Sequence, residues 1–163
     1  MDDAAVTRVG ITGHQSLSAA TVTLIEVAVG SVLDRFAEVR GFTSLAAGSD
    51  QIFARCVLAR GGDLVAVIPS ANYETSFKAA DDLERFRLYT AKAKETIRLP
   101  FPRPSEEAYW AAGQKIVELC DCMIAVWDGK PAAGFGGTAD VVRWARRVGR
   151  PLEVIWPVGA GRR

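Results

Sequence analysis

Short β-branched and aromatic runs alternate along this chain with apolar stripes at three- and four-residue spacing, and that alternation leaves few folds open. Residues 6–12, 43–47, 63–68, 122–127 and 152–156 are apolar stretches bounded by Gly, Pro or Asp, as strands buried on both faces are. Between the first two, Val22, Ile25, Val29, Val32 and Phe36 form the stripe of a helix packed on a sheet. Similar stripes occupy 51–60, 106–119 and 139–147, with an additional helix over 81–95 followed by a short edge strand at 97–101. Joined by right-handed crossovers, these elements predict a single-domain, Rossmann-like three-layer α/β/α sandwich. Its mostly parallel five-stranded sheet has the order 3-2-1-4-5.

The length of 163 residues matches one domain of roughly 150 residues, read as 1–158 with a flexible C-terminal tail at 159–163. Such a chain buries roughly 68–70% of its unfolded surface, so its core needs no disulfide or structural metal. Cys56, Cys120 and Cys122 are an odd number without the framework of a secreted disulfide scaffold, which points to a reducing cytoplasm. The start, Met1-Asp2-Asp3-Ala4-Ala5, lacks the basic residues and apolar run of an export signal. No apolar run approaches the roughly 20 residues that span a bilayer, so no membrane partner is expected. A net charge of +1, without a clustered basic stripe, argues against nucleic acid as a partner.

In an open parallel sheet, ligands bind beyond the carboxyl ends of the strands where the chain reverses direction, here between the first and fourth strands. The unusual residues gather there. The first strand ends in Thr12-Gly13-His14-Gln15-Ser16, the second leads into Gly48-Ser49-Asp50, and the fourth ends in Trp127-Asp128-Gly129-Lys130. Gly136-Gly137-Thr138 then opens a helix, where unpaired N–H groups and the positive end of the dipole suit an anion. The same loop also suits a plain tight turn capped by Thr138.

His14 is the only histidine, and no cysteine or carboxylate is spaced around it as a metal set, so no metal is expected; the residue is read as a ligand contact or a loop cap. Asp50 and Asp140 both fall in first helical turns, where a carboxylate meets the dipole favourably. Their functional alternatives are a hydrogen bond to a ribose hydroxyl or base edge for Asp50, and acid–base work for Asp140. Tyr73-Glu74 lies in a loop overhanging the same edge, and Tyr73 is a candidate for stacking on a base. Tyr109, Trp110 and Trp127 read as core or interface, and Arg143, Arg146, Arg147 and Arg150 as a solvated helix face.

Together these segments resemble the SLOG superfamily, the Rossmann-like group that takes in the Lonely Guy phosphoribohydrolases and the DNA-processing protein A type of fold. The resemblance rests on Gly10-Ile11-Thr12-Gly13-His14, Leu45 to Ala54, Val67-Ile68-Pro69 with Tyr73-Glu74, Asp121 to Gly129, and Gly136-Gly137-Thr138. It implies a pocket for a nucleotide or nucleotide-derived ligand. Gly13 and His14 form one wall, Gly48 to Asp50 another, and Gly136 to Thr138 hold phosphate. The phosphoribohydrolase pattern continues from Gly-Thr to a catalytic Glu, where this chain has Val141.

The first expectation is therefore a sensor or signalling module that binds a nucleotide or an ADP-ribose-like ligand, with no further cofactor. Contacts are expected from Gly13, His14, Gln15, Gly48, Ser49, Asp50, Tyr73, Asp128, Gly136, Gly137 and Thr138. The alternative is an N-glycosidic hydrolase or transferase acting on nucleoside monophosphates, with Asp140 or Glu74 as its carboxylate. Four tryptophans also permit a homodimer interface.

Overall fold

In a computed structural model describing residues 6–131 and 134–163, the chain forms a six-stranded, wholly parallel sheet. The elements are β1 (Val6–Gly13), α1 (Ala19–Leu33), β2 (Glu38–Thr43), α2 (Ser49–Ala59), β3 (Asp63–Ile68), α3 (Ala80–Lys92), β4 (Glu95–Arg98), α4 (Glu106–Leu119), β5 (Cys122–Val126), α5 (Thr138–Arg147) and β6 (Leu152–Ile155). A short 3-10 turn, Tyr73–Ser76, follows β3. The strand order is β4-β3-β2-β1-β5-β6, which is the expected order with one further strand at the edge. The acidic start at residues 1–5 lies outside the described residues.

The core explains why the strands read as continuous apolar runs. Leu64, Ala66 and Ile68 face α1 and α2, whereas Val65 and Val67 alternate with them to face α4 and α5, so β3 is covered on both sides. Phe53 of α2 is fully buried, and its ring occupies the space over Gly41 of β2, where an added Cβ would lie 2.9 Å from Phe53 Cε1.

Several boundaries differ from expectation, each for a local reason. The second strand is not 43–47 but Glu38–Thr43. Glu38 and Arg40 interrupt its apolar pattern in the sequence. Beyond Thr43 the chain turns sharply, with Leu45 at a φ of 56° and its N–H donating to Thr43 Oγ1 at 3.0 Å. Phe36 lies past the end of α1 and packs on the core from the turn. The additional helix stops at Lys92 because Lys94 N–H donates to Leu64 O and starts the ladder of β4. That edge strand is Glu95–Arg98 rather than 97–101. Helix α2 begins at Ser49, two residues earlier than the apolar stripe suggests.

Residues 159–163, expected as a C-terminal tail, lie against the start of α1. Gly161 N–H donates to Thr21 Oγ1 at 2.7 Å, and Gly161 O accepts from Ser18 N–H at 3.2 Å. Leu17 and Arg162 form an antiparallel bridge, and Arg163 N–H donates to Ser16 O at 3.3 Å. These bonds satisfy polar groups at the start of α1 that the helix itself cannot satisfy.

Phe53→Ala removes the largest fully buried side chain and leaves a cavity against a glycine-faced strand. Urea unfolding is expected to show a loss of about 3–5 kcal/mol.

Candidate functional site

A cleft of about 450 Å³ lies over the carboxyl ends of β1 and β5, where the strand order reverses. Its floor is fixed by an unusually close contact between two loops. A Cβ on Gly13 would lie 2.6 Å from Ser49 Cβ and Oγ, and one on Gly48, at a φ of 77°, only 2.3 Å from Gln15 O. That closeness lets Ser49 bind His14 O twice, through its N–H at 3.2 Å and its hydroxyl at 2.7 Å. The loop after β1 is thus tied to the start of α2.

His14 is buried beside the cleft, edge-on to Trp156 with ring centroids 5.6 Å apart. Its Nε2 accepts the Asp128 N–H at 3.0 Å, which places the proton of the neutral ring on Nδ1. Desolvation, reinforced by the nearby Arg162 charge, lowers its pKa and favours that neutral form, although Asp128 acts in the opposite sense. In the protonated form, Nε2 has Asp128 Oδ1 at 3.2 Å. Burial opposes ionisation of Asp128, but the Lys130 N–H, His14 and Arg162 together hold its carboxyl below the usual range. Arg162 approaches Asp128 Oδ2 at 3.6 Å, and both Arg162 and Lys130 border the cleft.

The loop after β5 supplies the anion-binding geometry. Gly137 is the N-cap of α5 and makes no side-chain cap bond, so among the described residues the N–H groups of Thr138 and Ala139 find no capping oxygen. Gly136 has a φ of 79°, and a Cβ there would meet Glu106 O at 2.9 Å and Trp110 Cβ at 3.0 Å. The loop is therefore pressed onto α4. Asp140 stabilises it from behind, accepting Gly136 N–H at 2.8 Å.

On the opposite wall stands Asp50, whose carboxylate accepts Ala46 N–H at 3.1 Å. Desolvation pushes its pKa up to about 7 despite the backbone donors of Ala46 and Ser44, which act to lower it. A carboxyl poised near neutrality and bordering a cleft is a functional candidate on physical grounds.

Of the expected contacts, Gly13, His14, Gln15, Asp50, Tyr73, Gly136, Gly137 and Thr138 border the cleft. Gly48 and Ser49 lie beneath as supports, and Asp128 stands behind His14. Tyr73 offers no open face for stacking. It is buried, packed edge-on to Phe77 and Phe86 at 5.4 Å each, and burial raises its pKa well above the ordinary tyrosine value. Neither carboxylate of the glycosidase alternative borders the cleft. Asp140 is engaged by Gly136 N–H and lies 3.8 Å from Arg143. Glu74 faces outward in a bidentate pair with Arg87, at 3.0 and 3.1 Å, which lowers its pKa.

Sequence reasoning missed Ser44, Tyr109, Lys130 and Arg162 as lining residues. Lys130 had a signal, standing just past the strand end. Arg162 had none, because its place depends on the docking of a distant segment.

The fold, a parallel sheet covered by helices with a cleft at its carboxyl edge, is a Rossmann-like one that several solved structures share. An X-ray structure of DNA processing protein A from Streptococcus pneumoniae is similar over 93% of this chain and 51% of that one, with a TM-score of 0.68 and 18% identity. The chain thus spans about half the length of that protein. A structure describing the single-stranded DNA binding mode of DNA processing protein A from Helicobacter pylori matches 96% of this chain and 68% of that one, with a TM-score of 0.65 and 15% identity. The molybdenum cofactor carrier protein of Chlamydomonas reinhardtii matches over 91% and 75%, with a TM-score of 0.56 and 11% identity. No protein-family model and no curated protein matches the sequence.

The Helicobacter structure corrects one expectation, that nucleic acid is not a partner. Net charge is a poor ground for that exclusion, because it averages over the whole surface. Here Lys130, Arg162 and the start of α5 gather at one cleft, while acids such as Glu74 and Glu153 are paired with arginines elsewhere. Among the described residues, no helix is long and apolar enough to cross a membrane.

Asp50 gives a pH signature. Its folded pKa of about 7 stands above the ordinary 3.8, so the folded state keeps a proton the unfolded chain has lost, and stability falls as pH rises through that window. Asp50→Asn lacks this slope. Between pH 5 and 8, urea unfolding should shift in favour of the variant by on the order of 2 kcal/mol.

Proposed function

We propose that the cleft binds a nucleotide or nucleotide-derived ligand, of the kind ADP-ribose exemplifies, and that the protein acts as a sensor or signalling module. The carrying observation is the polarity of the cleft. The uncapped start of α5, Lys130 and Arg162 border it on the β5 side, and the buried acceptor Asp50 borders it on the β2 side. A ligand with phosphate at one end and N–H or O–H donors at the other meets both walls. Phosphate lies on the helix amides, where dipole and unpaired N–H groups favour it, and a ribose hydroxyl or base edge donates to Asp50.

Binding without turnover is the reading that Val141, Asp140 and Glu74 favour. Val141, at the position of the catalytic Glu in phosphoribohydrolases, is buried, and its Cγ2 lies 2.7 Å from where a Gly113 Cβ would be. Asp140 and Glu74 are committed to other partners. Similarity in fold to a DNA-binding protein and to a cofactor carrier supports ligand binding as such, and single-stranded DNA is itself a chain of nucleotides. The free thiols of Cys56, Cys120 and Cys122 fit a reducing compartment such as the cytoplasm.

The test is a thermal-shift and calorimetric screen of mononucleotides, NAD, ADP-ribose and short single-stranded oligonucleotides. A ligand at 100 times its Kd adds about 2.7 kcal/mol, or roughly 5–10 °C in Tm for a domain of this size. Gly137 has a φ of −74°, outside the left-handed region that favours glycine, so Gly137→Asp should weaken binding at least tenfold with an unchanged circular dichroism spectrum. Arg162→Ala should weaken it several-fold. Full affinity in Gly137→Asp would refute the anion site.

A further inference from the structure

The cleft does not end at the glycine loop. Phe135, which borders it, also borders a second hollow of about 230 Å³ on the outer side of α4 and α5, lined by Trp110, Phe135, Asp140, Arg143, Trp144 and Arg147. Phe135 is 55% exposed. Its ring lies 5.5 Å from that of Trp110, and Trp110 lies 6.0 Å from Trp144. Arg143 and Arg147, one turn apart on α5, are both exposed.

We propose that this groove is a second subsite of the same ligand site, taking the next ring-and-phosphate unit of a dinucleotide. Its base lies against Phe135 and Trp110, and its phosphate is held by Arg143 and Arg147. The proposal rests on the nucleotide reading of the cleft and extends it.

Three observations favour this occupant. Aromatic platforms beside a cationic track are how proteins hold successive nucleotides, because every base has a π-face and every linkage a charge. Phe135 stands two residues before Gly137, so at most roughly 7 Å of chain separates the platform from the anion loop, short enough for one phosphodiester to bridge. The charge also fits: among the described residues Asp140 is the one acid lining the groove, and its charge is offset by Gly136 N–H at 2.8 Å and Arg143 at 3.8 Å. Arg147 remains to meet an added phosphate.

Calorimetry on the full chain tests this with the four 5′-deoxymononucleotides and the matching 5′-phosphorylated dinucleotides. Whichever mononucleotide binds, its dinucleotide should bind at least tenfold more tightly. The double variant Arg143→Ala, Arg147→Ala should abolish that gain while leaving the mononucleotide Kd within twofold, with an unchanged circular dichroism spectrum. A mononucleotide that binds with no dinucleotide gain, or a gain that survives in the double variant, overturns the subsite and leaves the cleft reading intact. A monomer–dimer shift in the double variant by sedimentation overturns it as well, and assigns the groove to a second copy of the chain. If neither ligand class binds, the cleft reading fails and the subsite with it.

Discussion

The site depends on the bond pair by which Ser49 grips the carbonyl of His14. Two hydrogen bonds to one buried oxygen, at 3.2 and 2.7 Å, are possible only because Gly13 and Gly48 let the two loops meet at backbone distance. The consequence reaches both neighbours of β1. On one side, α2 starts early enough to put Asp50 on the cleft wall. On the other, His14 is aimed at β5, donating its N–H to Val126 O at 3.1 Å and accepting from Asp128 at 3.0 Å. A side chain larger than hydrogen at position 13 would push the two walls apart.

That frame gives the cleft an electrical direction. The first amides of α5, with Lys130 and Arg162, line one side, and the Asp50 carboxyl gives the other a hydrogen-bonding group. The wall is partly long-range in origin, because Arg162 arrives on a docked segment held by Thr21, Ser18 and Ser16. Its guanidinium is placed by Asp128, the residue that also fixes the His14 ring. Loss of Asp128 would therefore disturb both sides of β1 together.

The fold was legible where burial on two faces left uninterrupted apolar runs. Asp63–Ile68 and Glu106–Leu119 were read to the residue, whereas alternation and crossover handedness gave a parallel sheet without fixing its strand order, and the assumed order 3-2-1-4-5 is the one found. Strand β2 was misplaced because Glu38 and Arg40 point from a half-covered strand end and hide its period, while the apolar Leu45 that follows belongs to a turn. Within the site, the glycine-opened helix was legible because its chemistry is local. Arg162 and the second groove were not, since their placement follows from contacts between segments far apart in the chain. Tyr73 shows the opposite failure, a residue correctly placed near the cleft whose ring is spent on aromatic packing rather than left open.

The most direct test of this account is to assign the backbone amides by NMR and follow them as the tightest-binding nucleotide is added. If the phosphate sits on the start of α5, the amide signals of Gly136, Gly137, Thr138 and Ala139 should move most. Gly13 and His14 should follow, while Gly61 and Gly62 at the opposite edge of the sheet stay fixed. Saturable shifts confined to that opposite edge, or spread over the surface without the glycine loop, would contradict it.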